Sequence, residues 1–308
     1  MKVLITGGAG FIGSNIADRL IRDKHKVVVV DDLSTGKKEN VSSQAKFYRC
    51  DVRGKDIADI FKKEKPEIVI HNAAQISVRI SVDDPVADAD INIGGSLNIL
   101  EACKKYNVGK VIFASSGGTV YGEQQHFPAD EKHPLSPISP YGVAKLSVEK
   151  YLYYYSCSFG LRYVALRYAN VYGPGQDPYG EAGVVAIFSE KILNKENPVI
   201  NGDGKQTRDY VFVGDVVEAN IKAIKGEFTG ELNIGTGKET SVVDLFRIIK
   251  RVSGNNTIEE IHGPPKEGEQ KRSSLSSEKA RTFLSWEPKV SIEEGLELTY
   301  KWFKKMNM

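Results

Sequence analysis

The N-terminal stretch constrains the fold of this chain more than any other, because its pattern predicts a strand, a glycine loop, a helix and a second strand in succession. Residues 3–6 are a short apolar and β-branched run, and Ile12, Ile16 and Leu20 then recur at the spacing of one helix face. Residues 27–30 are a run of valines, which predicts a second buried strand. The order of these elements is typical of the first unit of a dinucleotide-binding fold.

Four glycines separate the first predicted strand from the helix. Gly7, Gly8, Gly10 and Gly13 satisfy both G-x-x-G-x-x-G and G-x-G-x-x-G, so the glycine pattern alone does not separate two classes of dinucleotide fold. In both classes the glycines let the backbone turn sharply and approach a pyrophosphate, while the free N–H groups and the positive dipole end of the helix face the phosphates. We therefore predict that this loop binds the pyrophosphate of a dinucleotide.

Asp31 ends the second predicted strand, where a carboxylate can accept hydrogen bonds from the adenosine ribose hydroxyls and would repel a 2′-phosphate. Lys37 and Lys38 could reach a phosphate, but no arginine follows Asp31 directly. The sequence therefore predicts NAD as the cofactor in preference to NADP.

Strand and helix patterns continue to alternate after Asp31. Further strands are predicted at residues 46–49, 68–71, 111–115 and 163–167. This alternation predicts an α/β protein with a Rossmann-like, doubly wound parallel sheet, in which ligands gather at the carboxyl ends of the strands.

The character of the chain changes after residue 170. A glycine- and proline-rich segment is followed by a helical pattern at about 184–193, and Ser241 and Ser291 have the spacing of capping boxes that open helices. We expect residues 1–170 to form the NAD-binding Rossmann domain, with residues from about 205 to 240 returning to it. Residues 171–308 are expected to form mainly a smaller C-terminal α/β substrate domain.

Composition excludes several classes of protein. The 308 residues are 41% hydrophobic and 27% charged, and 42 basic and 40 acidic side chains are well mixed along the chain, which gives no reason to expect a nucleic-acid or membrane partner. No apolar stretch approaches the roughly 20 residues of a membrane span, and the first strand starts at once, so we expect no signal peptide and a cytoplasmic protein. Three scattered cysteines and five scattered histidines predict no disulfide and no metal site.

Tyr141 and Lys145 lie one helical turn apart in SPYGVAKLSVEKYL, where Pro140 precedes a helical pattern. The spacing puts both side chains on one helix face. A free phenol, with a pKa of about 10, is a poor base at neutral pH, but an adjacent ammonium together with an oxidised nicotinamide ring favours the phenolate. The sequence therefore predicts Tyr141 as a general base and Lys145 as a ligand of the nicotinamide ribose.

A set of short motifs runs through essentially the whole chain. They are TGGAGFIGSN, HNAAQ, SSGGTVYG, SPYGVAK, LRYANVYGPGQ, RDYVFVGDV, NIGTG and SWEPKVSIEEGL. With this set the chain resembles the extended short-chain dehydrogenases/reductases, and within them the NAD-dependent sugar-nucleotide epimerases. The resemblance implies inversion of C4 of a UDP-hexose through a 4-keto intermediate, and a homodimer joined through helices at about 91–105 and 141–159.

The resemblance also implies roles for individual residues. Those expected at the cofactor are Gly7, Gly10, Phe11, Ile12, Gly13, Asp31, Asp32, Asp51, Val52, Ala73, Ala74, Asn92, Ser115, Tyr141, Lys145 and Tyr168. Those expected at the UDP-sugar are Ser116, Tyr141, Asn170, Val184, Val185, Val199, Asn201, Arg208, Lys266 and Glu269. An arginine such as Arg208 can grip a diphosphate through paired hydrogen bonds. Arg208 also fits an ion pair with Asp209, and Lys266 also fits a surface residue.

The third catalytic residue that the resemblance implies is a Ser or Thr just before the TVYG run. Counting from the strand gives Ser116, whereas counting back from Thr119 gives Gly117. We choose Ser116, because a hydroxyl is needed to share the proton with Tyr141, and Thr119 is the alternative. Ser273 matches a position where relatives carry either a bulky aromatic or a small residue, so a further hypothesis is that the N-acetylhexosamine pair is accepted as well.

Other functions remain open on the same scaffold. Sugar-nucleotide 4,6-dehydratases and decarboxylases place a carboxylate in the segment before V-Y-G or L-Y-G, whereas this chain has Gly118 and Thr119 there and no acid until Glu123. A net 4-reductase is a further alternative. From a different class, the chain could be a nucleotide-binding regulator without catalysis, against which the set of Tyr141, Lys145 and Ser116 argues.

Overall fold

A computed structural model describes residues 1–179, 183–265 and 270–307 of the chain. The strands, numbered in chain order, are β1 (Lys2–Thr6), β2 (Lys26–Asp31), β3 (Lys46–Arg49), β4 (Ile68–His71), β5 (Lys110–Ser116), β6 (Arg162–Tyr168), β7 (Asn170–Tyr172), β8 (Val199–Asn201), β9 (Thr207–Arg208), β10 (Tyr210–Phe212), β11 (Gly230–Ile234), β12 (Thr240–Ser241) and β13 (Ile261–Gly263).

Helices alternate with the strands in the first half of the chain and dominate the second. They are α1 (Phe11–Arg22), α2 (Asp56–Glu64), α3 (Val78–Asp83), α4 (Pro85–Ala89), α5 (Gly95–Lys105), α6 (Gly117–Val120), α7 (Pro140–Phe159), α8 (Val184–Leu193), α9 (Val213–Lys225), α10 (Val242–Ser253), α11 (Glu278–Leu284) and α12 (Ile292–Met306). A 3₁₀ turn spans Lys38–Asn40, and a π-helical turn at Asp90–Gly94 joins α4 to α5.

Seven of the strands form one parallel sheet, in the order β11-β6-β5-β4-β1-β2-β3. The order runs outward in both directions from the centre, as in doubly wound folds. The α/β fold class and the first six strands predicted from the sequence are therefore confirmed. The seventh strand, β11, pairs with β6 and comes from far along the chain.

Apolar layers cover both faces of the sheet. On one face α1 and α9 pack together, and a cluster that includes Ile5, Ile16 and Trp286 fills the space beneath them. On the other face α2, α5 and α7 cover a cluster that includes Leu4 and Phe113. Because both faces are buried, the strands are nearly continuous apolar runs.

A smaller apolar cluster lies in the later part of the chain, where α8, α10 and α12 pack on one another. Two of its helices begin as the sequence predicted, since Ser241 accepts a hydrogen bond from the Asp244 N–H and Ser291 from the Glu294 N–H. Each cap satisfies one of the unpaired N–H groups at its helix start.

Membrane-spanning helices and metal-binding clusters are both absent from the described residues. Within those three ranges no helix is long and apolar enough to cross a bilayer. Nor do the same ranges contain a group of three or more His, Cys, Asp or Glu side chains that could hold a metal ion.

Candidate active site

The glycine loop between β1 and α1 is built for close approach. Gly7 has a φ of +66°, and a Cβ there would lie 2.6 Å from the Ala73 nitrogen, while a Cβ at Gly13 would lie 2.2 Å from the Gly7 carbonyl oxygen. Both positions therefore require glycine. By contrast, a Cβ on Gly10 would meet nothing closer than 3.4 Å, so this side of the loop is open.

The start of α1 leaves its first N–H groups without a side-chain cap. Gly10 is the capping residue and makes no side-chain hydrogen bond, and the first turn, which holds Phe11 and Ile12, carries no acidic residue. Uncapped N–H groups at the positive end of a 12-residue helix favour an anion. The loop thus offers the donor set that a pyrophosphate requires.

Asp31 ends β2 beside this loop and is 7% exposed. Its two carboxylate oxygens accept hydrogen bonds from the backbone N–H groups of Ala9 and Leu33, each at 2.9 Å. Burial raises the pKa of Asp31, and the two N–H donors oppose that shift. The carboxylate is therefore fixed at the edge of the sheet, where the sequence predicts contact with a ribose.

The predicted adenine-side residues differ in how free their side chains are. The Asp32 carboxylate accepts hydrogen bonds from the N–H and hydroxyl of Ser34. Asp51 forms an ion pair with Arg53 at 2.6 Å, and hydrogen bonding to that guanidinium lowers the pKa of Asp51. Val52 is buried, so only its backbone is available to a ligand.

At the end of β4, the loop that contains Ala73 and Ala74 is held by Asn92. The Asn92 side chain accepts a hydrogen bond from the Gln75 N–H and donates one to the Gln75 carbonyl oxygen, both at 2.9 Å. Asn92 therefore acts on this site by fixing the loop. Asn72 directly precedes Ala73, and both polar atoms of its side chain are shielded from solvent and lack a partner among the described residues.

Two of the predicted cofactor residues have hydroxyls that form hydrogen bonds within the protein. The Ser115 hydroxyl donates to Glu149 at 2.6 Å, and the Tyr168 hydroxyl accepts from the Asn220 amide at 2.9 Å. For a cofactor, the Ser115 hydroxyl therefore retains only its acceptor lone pairs, whereas the Tyr168 hydroxyl retains its O–H donor. Ser116 differs, because its hydroxyl has no hydrogen-bond partner in the described part of the chain.

Tyr141 and Lys145 lie on the first turns of α7, which Ser139 caps by accepting a hydrogen bond from the Gly142 N–H. The Lys145 ammonium donates to the Ala114 carbonyl oxygen of β5 at 2.8 Å and lies 5.5 Å from the centre of the Tyr141 ring. The structure thus brings both side chains to the carboxyl end of β5, on one helix face as the sequence predicts.

Burial governs the ionisation of this pair. It lowers the pKa of Lys145 to about 8, against the opposing effects of Asp88 and Glu149. It raises the pKa of Tyr141, and the negative charge of Asp88 raises it further. This direction differs from the sequence argument, because in the chain alone desolvation outweighs the ammonium. A cationic nicotinamide is the further positive charge that the argument requires.

The two candidate hydroxyls after β5 are differently placed. Ser116 is the last residue of β5 and precedes the short helix α6. The Thr119 hydroxyl donates to the Ser116 carbonyl oxygen at 3.4 Å. Thr119 is therefore turned back onto the backbone, which favours Ser116 as the hydroxyl available to a ligand.

The predicted substrate residues are spread over the later chain. Asn170 is exposed at the start of β7, and Arg208 lies on β9 and donates to the Thr207 carbonyl oxygen at 2.8 Å. Asp209 is buried and accepts hydrogen bonds from Thr236 and Leu275, so it braces the neighbouring loops. The remaining members are Val184 and Val185 on α8, Val199 and Asn201 on β8, and Lys266 and Glu269, which lie outside the described residues.

A buried polar network behind the site was missed by the sequence reasoning. Arg167 forms a paired ion bridge with Glu149 at 2.6 and 2.9 Å and donates to the Tyr121 hydroxyl at 3.0 Å, and Tyr121 donates to Asn233 at 2.7 Å. The available signal was that Glu149 follows Lys145 by one helical turn.

Taken together, these features fit a dinucleotide. The cradle at Gly7 and Gly13 leaves no room for side chains, α1 offers uncapped donors, and the Asn72 amide has no partner among the described residues. A buried amide without a partner is uncommon in a folded protein, and at this position it can donate to and accept from a bound dinucleotide. The fold and the donor set thus agree with the predicted cofactor.

Comparison with known proteins places the chain in a well-populated group. Residues 3–235 match the model of the NAD-dependent epimerase/dehydratase family. A putative UDP-glucose 4-epimerase of Methanocaldococcus jannaschii is 49% identical over 99% of both chains.

Solved structures also resemble the chain. The UDP-glucose 4-epimerase of Thermotoga maritima, solved with UDP-glucose, is 50% identical over 100% of both chains, with a TM-score of 0.98. The UDP-N-acetylglucosamine 4-epimerase of Methanobrevibacter ruminantium, solved with UDP-N-acetylmuramic acid, is 39% identical over 99% of this chain and 98% of that one, with a TM-score of 0.94.

Proposed function

Because the chain belongs to the NAD-dependent epimerase/dehydratase family, we propose that it is a UDP-glucose 4-epimerase, which inverts C4 of UDP-glucose and UDP-galactose. The membership confirms the family resemblance and the NAD cofactor predicted from the sequence. Relatives 49% and 44% identical over 99% of the chain are named UDP-glucose 4-epimerase, so the chain is an NAD-dependent enzyme of the isomerase class.

The observation that carries the proposal is the position of Tyr141 and Lys145. They lie side by side on α7, at the carboxyl end of β5, while the glycine loop opens at the carboxyl end of β1. Both strands belong to one parallel sheet, so a cofactor bound at the loop can extend along this edge to the pair.

The cofactor would be held by the N–H groups at the start of α1, by the Asp31 carboxylate and by the Lys145 ammonium. The chemistry that bound NAD supplies is reversible acceptance of a hydride, so that C4 of the sugar is oxidised and then reduced from its other face. Asn72, whose amide has no partner among the described residues, is available to the same ligand.

Proton transfer falls to the side chains of this chain. Tyr141 takes the proton of the sugar 4-hydroxyl and gives it back after the 4-keto sugar has turned over. Ser116 shares that proton through its hydroxyl, and Lys145 provides positive charge next to the phenol. General acid–base catalysis of this kind contributes about 10²- to 10⁴-fold, and positioning by the nucleotide supplies much of the remainder.

The UDP moiety would be held away from the reacting carbon. We assign the diphosphate and the uridine to the set formed by Asn170, Arg208, Lys266 and Glu269, in which the cationic side chains suit the diphosphate. The neighbourhood of α8 and β8 supplies the other predicted contacts with the nucleotide. A firm grip on the nucleotide and a loose grip on the hexose allow the keto sugar to rotate, because remote binding energy holds the substrate in place.

A 4,6-dehydratase or decarboxylase is the second candidate function, and the segment after β5 argues against it. Gly118 and Thr119 lie there on α6, and the next acid, Glu123, is exposed. Neither a base for C5 nor a carboxylate to steer the intermediate is therefore supplied by this segment. A net 4-reductase would consume added cofactor, whereas an epimerase recycles it in place.

Assembly and location are further parts of the proposal. We propose a cytoplasmic homodimer that pairs through α5 and α7, because α7 exposes Val143, Tyr154 and Phe159 and exposed apolar groups of this kind favour an interface. Sedimentation at equilibrium should give about twice the mass of one chain. A monomer at micromolar concentration would contradict this part alone.

The test of the function uses purified protein and UDP-galactose, with UDP-glucose formation followed with and without added NAD. We expect turnover that continues without net reduction of the cofactor. Tyr141→Phe should lose at least about 10²-fold in kcat, whereas Tyr151→Phe, which alters a half-exposed phenol on the same helix, should stay near the parent rate. Full activity of Tyr141→Phe would overturn the proposal.

A further inference from the structure

Asp88 is a buried carboxylate that the mechanism above does not use. It lies on α4 and is 1% exposed. Its Oδ1 atom accepts hydrogen bonds from the side-chain amides of Gln75, at 2.8 Å, and Asn92, at 2.9 Å. Its Oδ2 atom is shielded from solvent and has no partner among the described residues. A buried carboxylate oxygen without a donor is costly. Burial raises the pKa of Asp88, whereas the Gln75 and Asn92 donors and the Lys145 ammonium oppose that shift and favour the carboxylate.

The placement of α4 shows where this charge acts. The helix packs against α7, and Asp88 lines the same cavity, of about 590 Å³, as Ser139 and Ala144 at the start of that helix. These two residues flank the turn that carries Tyr141. The negative charge of Asp88 raises the pKa of both Tyr141 and Lys145, so it favours the protonated form of each.

Two other titratable groups, Glu149 and His71, interact with Lys145. Glu149, on the same helix, also raises the pKa of Lys145, but its carboxylate is paired with Arg167 of β6. His71 of β4 faces Lys145 as well, but burial, followed by repulsion from the ammonium, lowers the pKa of His71 to about 3, so it is neutral in the working range. Of the two described carboxylates whose charge raises the pKa of Lys145, Asp88 is therefore the one that forms no ion pair within 4 Å.

We propose that Asp88 is a positioning residue of the active site. Its buried charge is the counter-ion of Lys145, and its Oδ1 atom anchors Gln75, which follows Ala73 and Ala74 in the loop after β4. The inference rests on the proposed epimerase function and adds to it. With Asp88 in place the ammonium stays protonated although it is buried, and the phenol is kept from ionising before substrate arrives.

The test is Asp88→Asn, which keeps an oxygen acceptor for Gln75 and Asn92, removes the charge and replaces the unpartnered Oδ2 with an amide nitrogen. Loss of a negative charge lowers the pKa of the phenol and of the ammonium together. The acid limb of kcat/KM, where Tyr141 must lose its proton, and the alkaline limb, where Lys145 must keep its proton, should both move to lower pH by roughly 0.5 to 1 unit. A merely structural role would lower the rate without moving the limbs.

The matched control is Asp90→Asn, which removes the same charge two positions further on. Asp90 is exposed and pairs with Arg53 at 2.8 Å, so its loss should leave both limbs in place. Asp88→Ser is a second uncharged variant with poorer packing. It should show the same shift in pH profile as Asp88→Asn, with a lower thermal stability.

A second readout does not depend on turnover. The NMR signal of the Lys145 Cε in protein labelled with ¹³C-lysine, assigned by its absence in Lys145→Met, should titrate at lower pH in Asp88→Asn than in the parent. Unmoved titration of Lys145 with unmoved limbs would overturn the inference and leave the epimerase function intact. If the parent epimerised no UDP-sugar, the proposed function would fail, and the lysine titration would still decide the role of Asp88.

Discussion

Breaking the buried ion bridge behind the active site should cost more stability than any surface pair. Arg167 and Glu149 have side chains that are 3% and 1% exposed. Arg167→Met keeps an unbranched apolar stem but removes the guanidinium, and it leaves the Glu149 carboxylate buried with the Ser115 hydroxyl, at 2.6 Å, as its neighbour. Removing one partner of a buried pair costs about 3–5 kcal/mol, because the remaining charge is uncompensated.

That loss converts into a measurable change in Tm. An unfolding entropy of about 2.1 cal/mol/K per residue corresponds to about 0.65 kcal/mol/K for 308 residues. Arg167→Met should therefore lower Tm, followed by circular dichroism with NAD at a fixed concentration, by about 5–8 °C. Arg162→Met is the control, since Arg162 lies on the same strand but pairs with Glu227 at the surface, where a pair contributes about 0–1 kcal/mol.

The double variant Glu149→Gln with Arg167→Met tests the cause. It removes both charges, so it should be more stable than Arg167→Met alone, with a coupling free energy of about 2–3 kcal/mol. The reasoning would be refuted if Arg167→Met lost no more than Arg162→Met, or if the losses of the two single variants simply added.

Three further predictions concern the site. Ser116→Ala should lower kcat by about 10-fold or more, whereas Thr119→Val should change it little; the opposite ranking in steady-state assays would assign the proton-sharing role to Thr119. Asp31→Asn should weaken NAD binding by about 10- to 100-fold, the value of a hydrogen bond to a charged group, and should raise the relative affinity for NADP in fluorescence titrations; an unchanged ratio would contradict the ribose contact. Ser273 is 3% exposed and lies beside Gln124. Ser273→Tyr should reduce the turnover of N-acetylated sugars more than that of plain sugars. An unchanged ratio of the two rates would contradict the idea that a small side chain leaves room for the acetyl group.

Regular features of the fold could be predicted because they depend on local pattern. The valine run of β2 and the alternation up to β6 predicted the strand bounds to within a residue or two. The caps at Ser241 and Ser291 could be predicted as well, because each needs only a serine whose hydroxyl accepts from the backbone N–H three residues later. By contrast, β11 was expected only as part of a returning segment. Its pairing with β6 joins residues far apart in sequence, which no local pattern encodes.

Some features of the site could likewise be predicted from the sequence, whereas others required the structure. Tyr141 and Lys145 share a face because of helical geometry alone, so their proximity could be predicted. The role of Asp88 could not, since it lies among other acidic residues and resembles a solvated run until α4 packs on α7. The direction of the Tyr141 pKa also required the structure, because the degree of burial decides it.

The apolar layer beneath α1 and α9 has a consequence for synthesis on the ribosome. That layer joins Ile5 and Ile16 from the beginning of the chain with Ile234 and Trp286 from near its end. Until the last quarter of the polypeptide has emerged from the ribosome, one apolar face of the earliest strands stays exposed to solvent. A nascent chain of this kind should engage holdase chaperones for most of its translation, and its maturation is expected to be late and abrupt.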